Sequence, residues 1–116
     1  MSKILIYHNP KCSKSREALN ILNESGEETE VIEYLKTPPD ASAIEKILDM
    51  LGCDPLDIMR TKEADFRELG LHEDGVTREQ LIEAMVARPI LIERPIVVKD
   101  NRVVLGRPPE KVRELL

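Results

Sequence analysis

Tryptophan is missing from this chain, and two tyrosines and one phenylalanine are its whole stock of aromatic rings. The interior must therefore be aliphatic, built from Ile, Leu, Val and Met. Long apolar runs are missing too. No stretch approaches the roughly 20 residues that cross a bilayer, and the amino terminus has no secretory apolar segment, so a cytoplasmic protein away from membranes is expected. An excess of positive charge is also lacking. The net charge of −5 argues against a nucleic-acid binder, because a domain that tracks phosphates carries a basic face. Only two cysteines occur, Cys12 and Cys53, and in a reducing compartment neither is expected to be a permanent staple. Acidic pairs such as Glu27-Glu28 and Glu73-Asp74 lack metal-ligand spacing, so no metal site is expected. Internal repeats and low-complexity tracts are absent.

What is present suits an ordinary globular domain. The length of 116 residues with 41% hydrophobic content can bury a core unaided, and a single domain over residues 1–116 is expected. Lys3 to His8 is short, apolar and β-branched and stops at Asn9-Pro10, which predicts a buried strand. The period then changes: Ala18, Leu19, Ile21 and Leu22 recur at helical spacing up to Ser25-Gly26, and Glu30–Tyr34 reads as a second strand. Strand, helix and strand in that order form a βαβ unit with parallel strands. Beyond the break at Thr37-Pro38-Pro39, Ile44, Ile47, Leu48 and Leu51 line one helical face that Gly52 ends. Asp54-Pro55 opens a further short helix, another piece follows through Ala64–Leu69, and Thr77-Arg78-Glu79-Gln80 matches a capping box. After Pro95 the runs Ile96–Val98 and Val103–Leu105, with a turn at Asp100-Asn101, predict an antiparallel hairpin, and a last short helix starts near Pro108. The expected class is α/β, a mixed β-sheet flanked by helices with a helical insertion.

The chemistry gathers where the first strand gives way to the first helix, in His8-Asn9-Pro10-Lys11-Cys12-Ser13-Lys14-Ser15-Arg16. A cysteine at a helix start faces unsatisfied backbone N–H groups and the positive end of the helix dipole, and Lys11, Lys14 and Arg16 stand close in sequence. That setting activates a thiol as a nucleophile, whereas an inert cysteine is more at home in an apolar stretch. The same helix start can hold an anion, and an attack by thiolate on an oxyanion needs added positive charge. Arginine, planar and bidentate, supplies it best. Arg60, Arg94 and Arg107 stand at predicted loop or helix ends, two of them before proline, although periodicity does not separate them from the chain's other arginines. His8 either tunes Cys12 or merely ends the strand, with spacing favouring neither. His72 lies in a polar loop and reads as solvated, and Cys53 after a predicted helix end reads as buried or incidental.

The stretch Tyr7–Arg16 resembles the active-site loop of the glutaredoxin-dependent arsenate reductases, the ArsC family. Glu33-Tyr34-Leu35 with Pro38-Pro39, then Met59-Arg60, Arg88–Val98 and Gly106-Arg107-Pro108 are similar to landmarks of that family and follow in order along nearly the whole chain. The resemblance implies a thioredoxin-like fold. It also implies roles: Cys12 attacks arsenate and carries a thioarsenate intermediate, His8 and Ser15 support its thiolate, and Arg60, Arg94 and Arg107 bind the oxyanion. Glutathione would act as co-substrate and glutaredoxin as partner in releasing arsenite, with no bound cofactor. Some members of the family continue past the position of Leu116, and no matched residue falls in that tail. The phosphatase-like arsenate reductases, by contrast, need an arginine where this loop is followed by Ala18. Two other functions fit related folds: an ArsC-like glutathione-linked thiol reductase with another substrate, and an Spx-like regulator that binds RNA polymerase. The second typically carries Cys-x-x-Cys, where this chain has Ser15.

Overall fold

A computed structural model describes residues 3–93 and 95–116; Arg94, one of the arginines singled out above, lies outside them. The described chain is an α/β protein with one mixed sheet of four strands in the order β2-β1-β3-β4. Strand β1 (Ile4–His8) is central, pairing in parallel with β2 (Thr29–Glu33) and antiparallel with β3 (Ile96–Lys99). Helix α1 (Ser13–Glu24) makes the parallel crossover. Strand β4 (Arg102–Leu105) completes the expected hairpin, whose tight turn places Asp100 in the left-handed region at φ 56°. Aspartate tolerates that conformation better than most residues.

The contacts divide the chain into two compact units, 1–37 with 94–116, and 38–93. In the first, Ile4, Ile6, Ala18, Leu22, Val97, Val112 and Leu115 form one aliphatic cluster. Its isoleucine, leucine and valine side chains contribute about 1.5–3 kcal/mol each when fully buried, and no aromatic ring belongs to the cluster. Val112 and Leu115 come from a terminal 3-10 helix over Pro109–Leu115, the expected last helix in the tighter form that short helical pieces adopt. Gly106 donates its N–H to the Pro95 carbonyl at 2.9 Å, and a Cβ there would meet the Pro95 ring at 2.7 Å. Only glycine allows so close an approach.

The second unit is the helical insertion between β2 and β3 in the sequence. Asp40 caps helix α2 (Ala41–Leu51) by accepting the Ala43 N–H at 2.8 Å, and Gly52 ends it in the left-handed conformation. A 3-10 turn over Pro55–Ile58 follows, then α3 (Ala64–Glu68) and α4 (Arg78–Ala87). The capping box forms at α4: Gln80 accepts the Thr77 N–H at 2.8 Å and Thr77 accepts the Gln80 N–H at 3.2 Å. Met59 and Ile92 make an isolated antiparallel bridge that closes the unit beside Arg60.

Candidate functional site

Strand β1 ends at His8, and the next four residues turn the chain into α1. The Asn9 side chain accepts the Lys11 N–H at 3.0 Å, and the Asn9 carbonyl accepts the Cys12 N–H at 3.0 Å. These two bonds wind the loop so that Cys12 occupies the N-cap of α1. Its backbone is extended, and its carbonyl accepts the Arg16 N–H at 3.0 Å. Cys12 is partly exposed. Arg16, expected as a neighbouring charge, also holds the loop by donating to the Pro10 carbonyl at 2.9 Å.

Ser15, one turn into α1, is completely buried, and His8 and Asn9 are buried beside it. Ser15 Oγ accepts the Asn9 backbone N–H at 3.1 Å and lies 2.6 Å from His8 Nδ1. Burial pushes the His8 pKa below 6.5, Glu33 opposing the shift and Arg16 adding to it. His8 is therefore neutral at pH 7. Ser15 has one proton to give and no other acceptor among the described residues, so Ser15 donates to Nδ1 and the imidazole proton sits on Nε2. His8 and Ser15 thus belong to one buried network at the base of the Cys12 loop.

Arg107 belongs to the same unit, exposed at the cis Arg107-Pro108 bond just after β4. Arg60 belongs to the inserted unit, where its backbone N–H donates to the Leu91 carbonyl at 2.7 Å. Its guanidinium is three-quarters buried and already engaged: Nε donates to Glu63 at 2.9 Å and a terminal nitrogen to Glu93 at 3.4 Å. Sequence reasoning missed both glutamates. Glu63 had a local signal, standing three residues after Arg60, but Glu93 is brought there only by the Met59–Ile92 bridge. Cys53 is partly exposed, and burial, Asp57 and Asp54 push its thiol pKa above 9.0. At neutral pH it is a thiol, poorly suited to attack.

Two cavities flank these elements. One, of about 220 Å³, is walled by His8, Asn9, Pro10 and Lys11 of the Cys12 loop and by Glu33, Leu35 and Lys36 after β2. The other, of about 410 Å³ in the inserted unit, includes Glu73 and Glu83 but no Lys, Arg or His in its wall, which suits no oxyanion. Among the described residues no group of three or more His, Cys, Asp or Glu is placed to hold a metal ion, and no helix is long and apolar enough to cross a membrane.

A mixed sheet with a cysteine at the N-cap of its first helix, and a helical insertion before the β-hairpin, defines a thioredoxin-like protein. The model of the ArsC family matches residues 7–115, both units included, and the chain belongs to that family. It is 49% identical over 98% of its length, and over 97% of the relative's, to uncharacterized protein YfgD of Escherichia coli K12. It is 42% identical to an arsenate reductase of Neisseria meningitidis, with all of both chains covered. Among solved structures, an arsenate reductase from Vibrio cholerae superposes with a TM-score of 0.94 at 43% identity, covering 98% of each chain.

Proposed function

We propose that the protein reduces arsenate to arsenite in the cytoplasm, with Cys12 as nucleophile. The observation that carries this reading is the position of Cys12 at the N-cap of a twelve-residue helix, in a chain aligned end to end with an arsenate reductase. Amide donors and the helix dipole favour negative charge at that point. The Cys12 thiolate attacks arsenic, a hydroxyl leaves as water, and a thioarsenate forms on sulfur. Glutathione then displaces a second hydroxyl from arsenic as water. A glutaredoxin thiol takes the glutathionyl group as a mixed disulfide while arsenic drops from the +5 to the +3 state, and water hydrolyses the remaining Cys12–arsenic bond to release arsenite and the Cys12 thiol. The balance is arsenate and two thiols to arsenite, one disulfide and water, so both electrons come from sulfur outside this chain and no bound cofactor is assigned. Arg60, Arg94 and Arg107 bind the oxyanion in this scheme, and Ser15 and His8 hold the loop that presents Cys12.

The test is arsenate-dependent consumption of NADPH in a mixture of the protein, glutathione, glutaredoxin and glutathione reductase. Turnover no faster than in the mixture lacking the protein would sink the reading. A second function, a glutathione-linked thiol reductase acting on a less anionic substrate, has one observation in its favour: Arg60 is shared with Glu63 and Glu93. Turnover of a glutathione mixed disulfide with none of arsenate selects it. The polymerase-binding reading typically goes with a redox pair in the loop, where this chain has Ser15, hydrogen-bonded to His8.

A further inference from the structure

Outside the loop's own network, the groups facing the 220 Å³ cavity have no use in the scheme above. Four of its seven wall residues are the loop itself, ending one residue before Cys12, and the carbonyl of one of them, Asn9, holds the Cys12 N–H. Opposite them stand Glu33 and Lys36, their charged ends 3.5 Å apart, with Leu35 exposed between them. The cavity thus presents cations at Lys11 and Lys36 and an anion at Glu33. In a chain of net charge −5 that is a local excess of positive charge.

His8 sharpens this. It is 95% buried by its 5% exposure, it lines the cavity, and its Nδ1 is taken by Ser15. The Nε2–H that remains has no partner among the described residues. Water or a bound ligand that reaches it can supply the acceptor. The cavity is where an acceptor can come from.

We infer that this cavity is the binding site for the α-amino-acid end of a small thiol peptide of the glutathione class. The carboxylate of that end fits Lys36, Lys11 and the Nε2–H of His8, and its ammonium fits Glu33. The volume suits one arm of such a peptide and no larger partner. The remainder, with the thiol, extends along the loop towards Cys12. This deepens the reading given under the proposed function and rests on it for the fate of the thiol, whereas the binding event itself requires no arsenate.

S-methylglutathione, whose blocked sulfur cannot react, is the probe. Titrated into isotope-labelled protein, it shifts the backbone amide signals of Asn9, Lys11, Glu33, Leu35 and Lys36 in a saturable way. Lys36→Glu weakens that binding about five- to tenfold, and Glu33→Gln weakens it about two- to fivefold, as partly solvated charge pairs allow. S-methyl-cysteinylglycine, which lacks the γ-glutamyl end, does not produce these shifts. Saturable shifts at other residues, equal binding of the shorter peptide, or no binding overturn the inference. Arsenate turnover with glutathione but without binding here sinks the site and leaves the reductase reading standing. Binding here with no arsenate turnover does the reverse.

Discussion

His8 and Ser15, seven residues apart in the sequence, meet at 2.6 Å between Nδ1 and Oγ inside the protein, and the same serine oxygen receives the Asn9 N–H. One hydroxyl therefore ties the end of β1, the turn after it and the first turn of α1 into one piece. Removing it leaves two buried groups unmet. Ser15→Ala is expected to lower stability by about 1–3 kcal/mol, seen as a lower urea midpoint at unchanged slope. Ser15→Thr, which keeps the hydroxyl, recovers part of the loss only if the added methyl fits. A Ser15→Ala midpoint equal to the parent's would remove the network from any account of the loop.

The depressed pKa of His8 gives stability a defined pH dependence. Below its ordinary value of 6.5 the unfolded chain binds the His8 proton and the folded chain does not. Stability therefore rises with pH across that interval: His8's contribution is present in full above about 6.5 and is lost as pH falls through the lower folded-state value. The difference in melting temperature between the parent and His8→Gln should narrow as pH is lowered from 7.5 towards 5. A difference that widens on acidification contradicts a buried neutral imidazole.

Cys12 and Cys53 should behave differently towards alkylation. Cys53 is held as a thiol by burial and by Asp57 and Asp54, while Cys12 stands at a helix start with Lys11, Lys14 and Arg16 near it in sequence. Iodoacetamide at pH 7 is expected to label Cys12 at least about tenfold faster, read by peptide mass mapping. In the coupled assay Cys12→Ser abolishes turnover and Cys53→Ser retains most of it. Equal loss in both would point to a disulfide within the chain.

Arg60 is shared between two carboxylates, so an oxyanion bound there competes with them. Glu63→Gln keeps a hydrogen-bond acceptor and removes the charge that holds Nε at 2.9 Å. The expected result is a KM for arsenate about two- to fivefold lower, the range of a partly exposed ion pair. A higher KM would mean that Glu63 instead holds Arg60 in its working position.

Gly106→Ala would drive a methyl group to 2.7 Å from the Pro95 ring, and the ring has little freedom to retreat. A loss of about 1–3 kcal/mol in a urea titration is expected, as for overpacked cores. A neutral outcome would show that the hairpin base yields more easily than its backbone hydrogen bond suggests.

Much of the architecture is set by local rules. The short apolar, β-branched run at Ile4–His8, the helical spacing of Ala18, Leu19, Ile21 and Leu22, the capping box at Thr77 and the stop at Gly52 each act within a few residues, and all appear where the sequence places them. Cys12 at the start of α1 was legible for the same reason: a strand that ends at Asn-Pro before a helical period leaves the cysteine at the helix's first open amides. The pairing of β1 with β3 was not, because it joins residues about ninety apart and no local preference records such a register. The same holds for Glu93 on Arg60 and for Pro95 against Gly106, where distant segments meet at single contacts. His8 shows the division most clearly. Its position before the loop is a matter of sequence, but its neutrality, its tautomer and its open Nε2–H follow from burial and from one serine hydroxyl, which only the folded chain supplies.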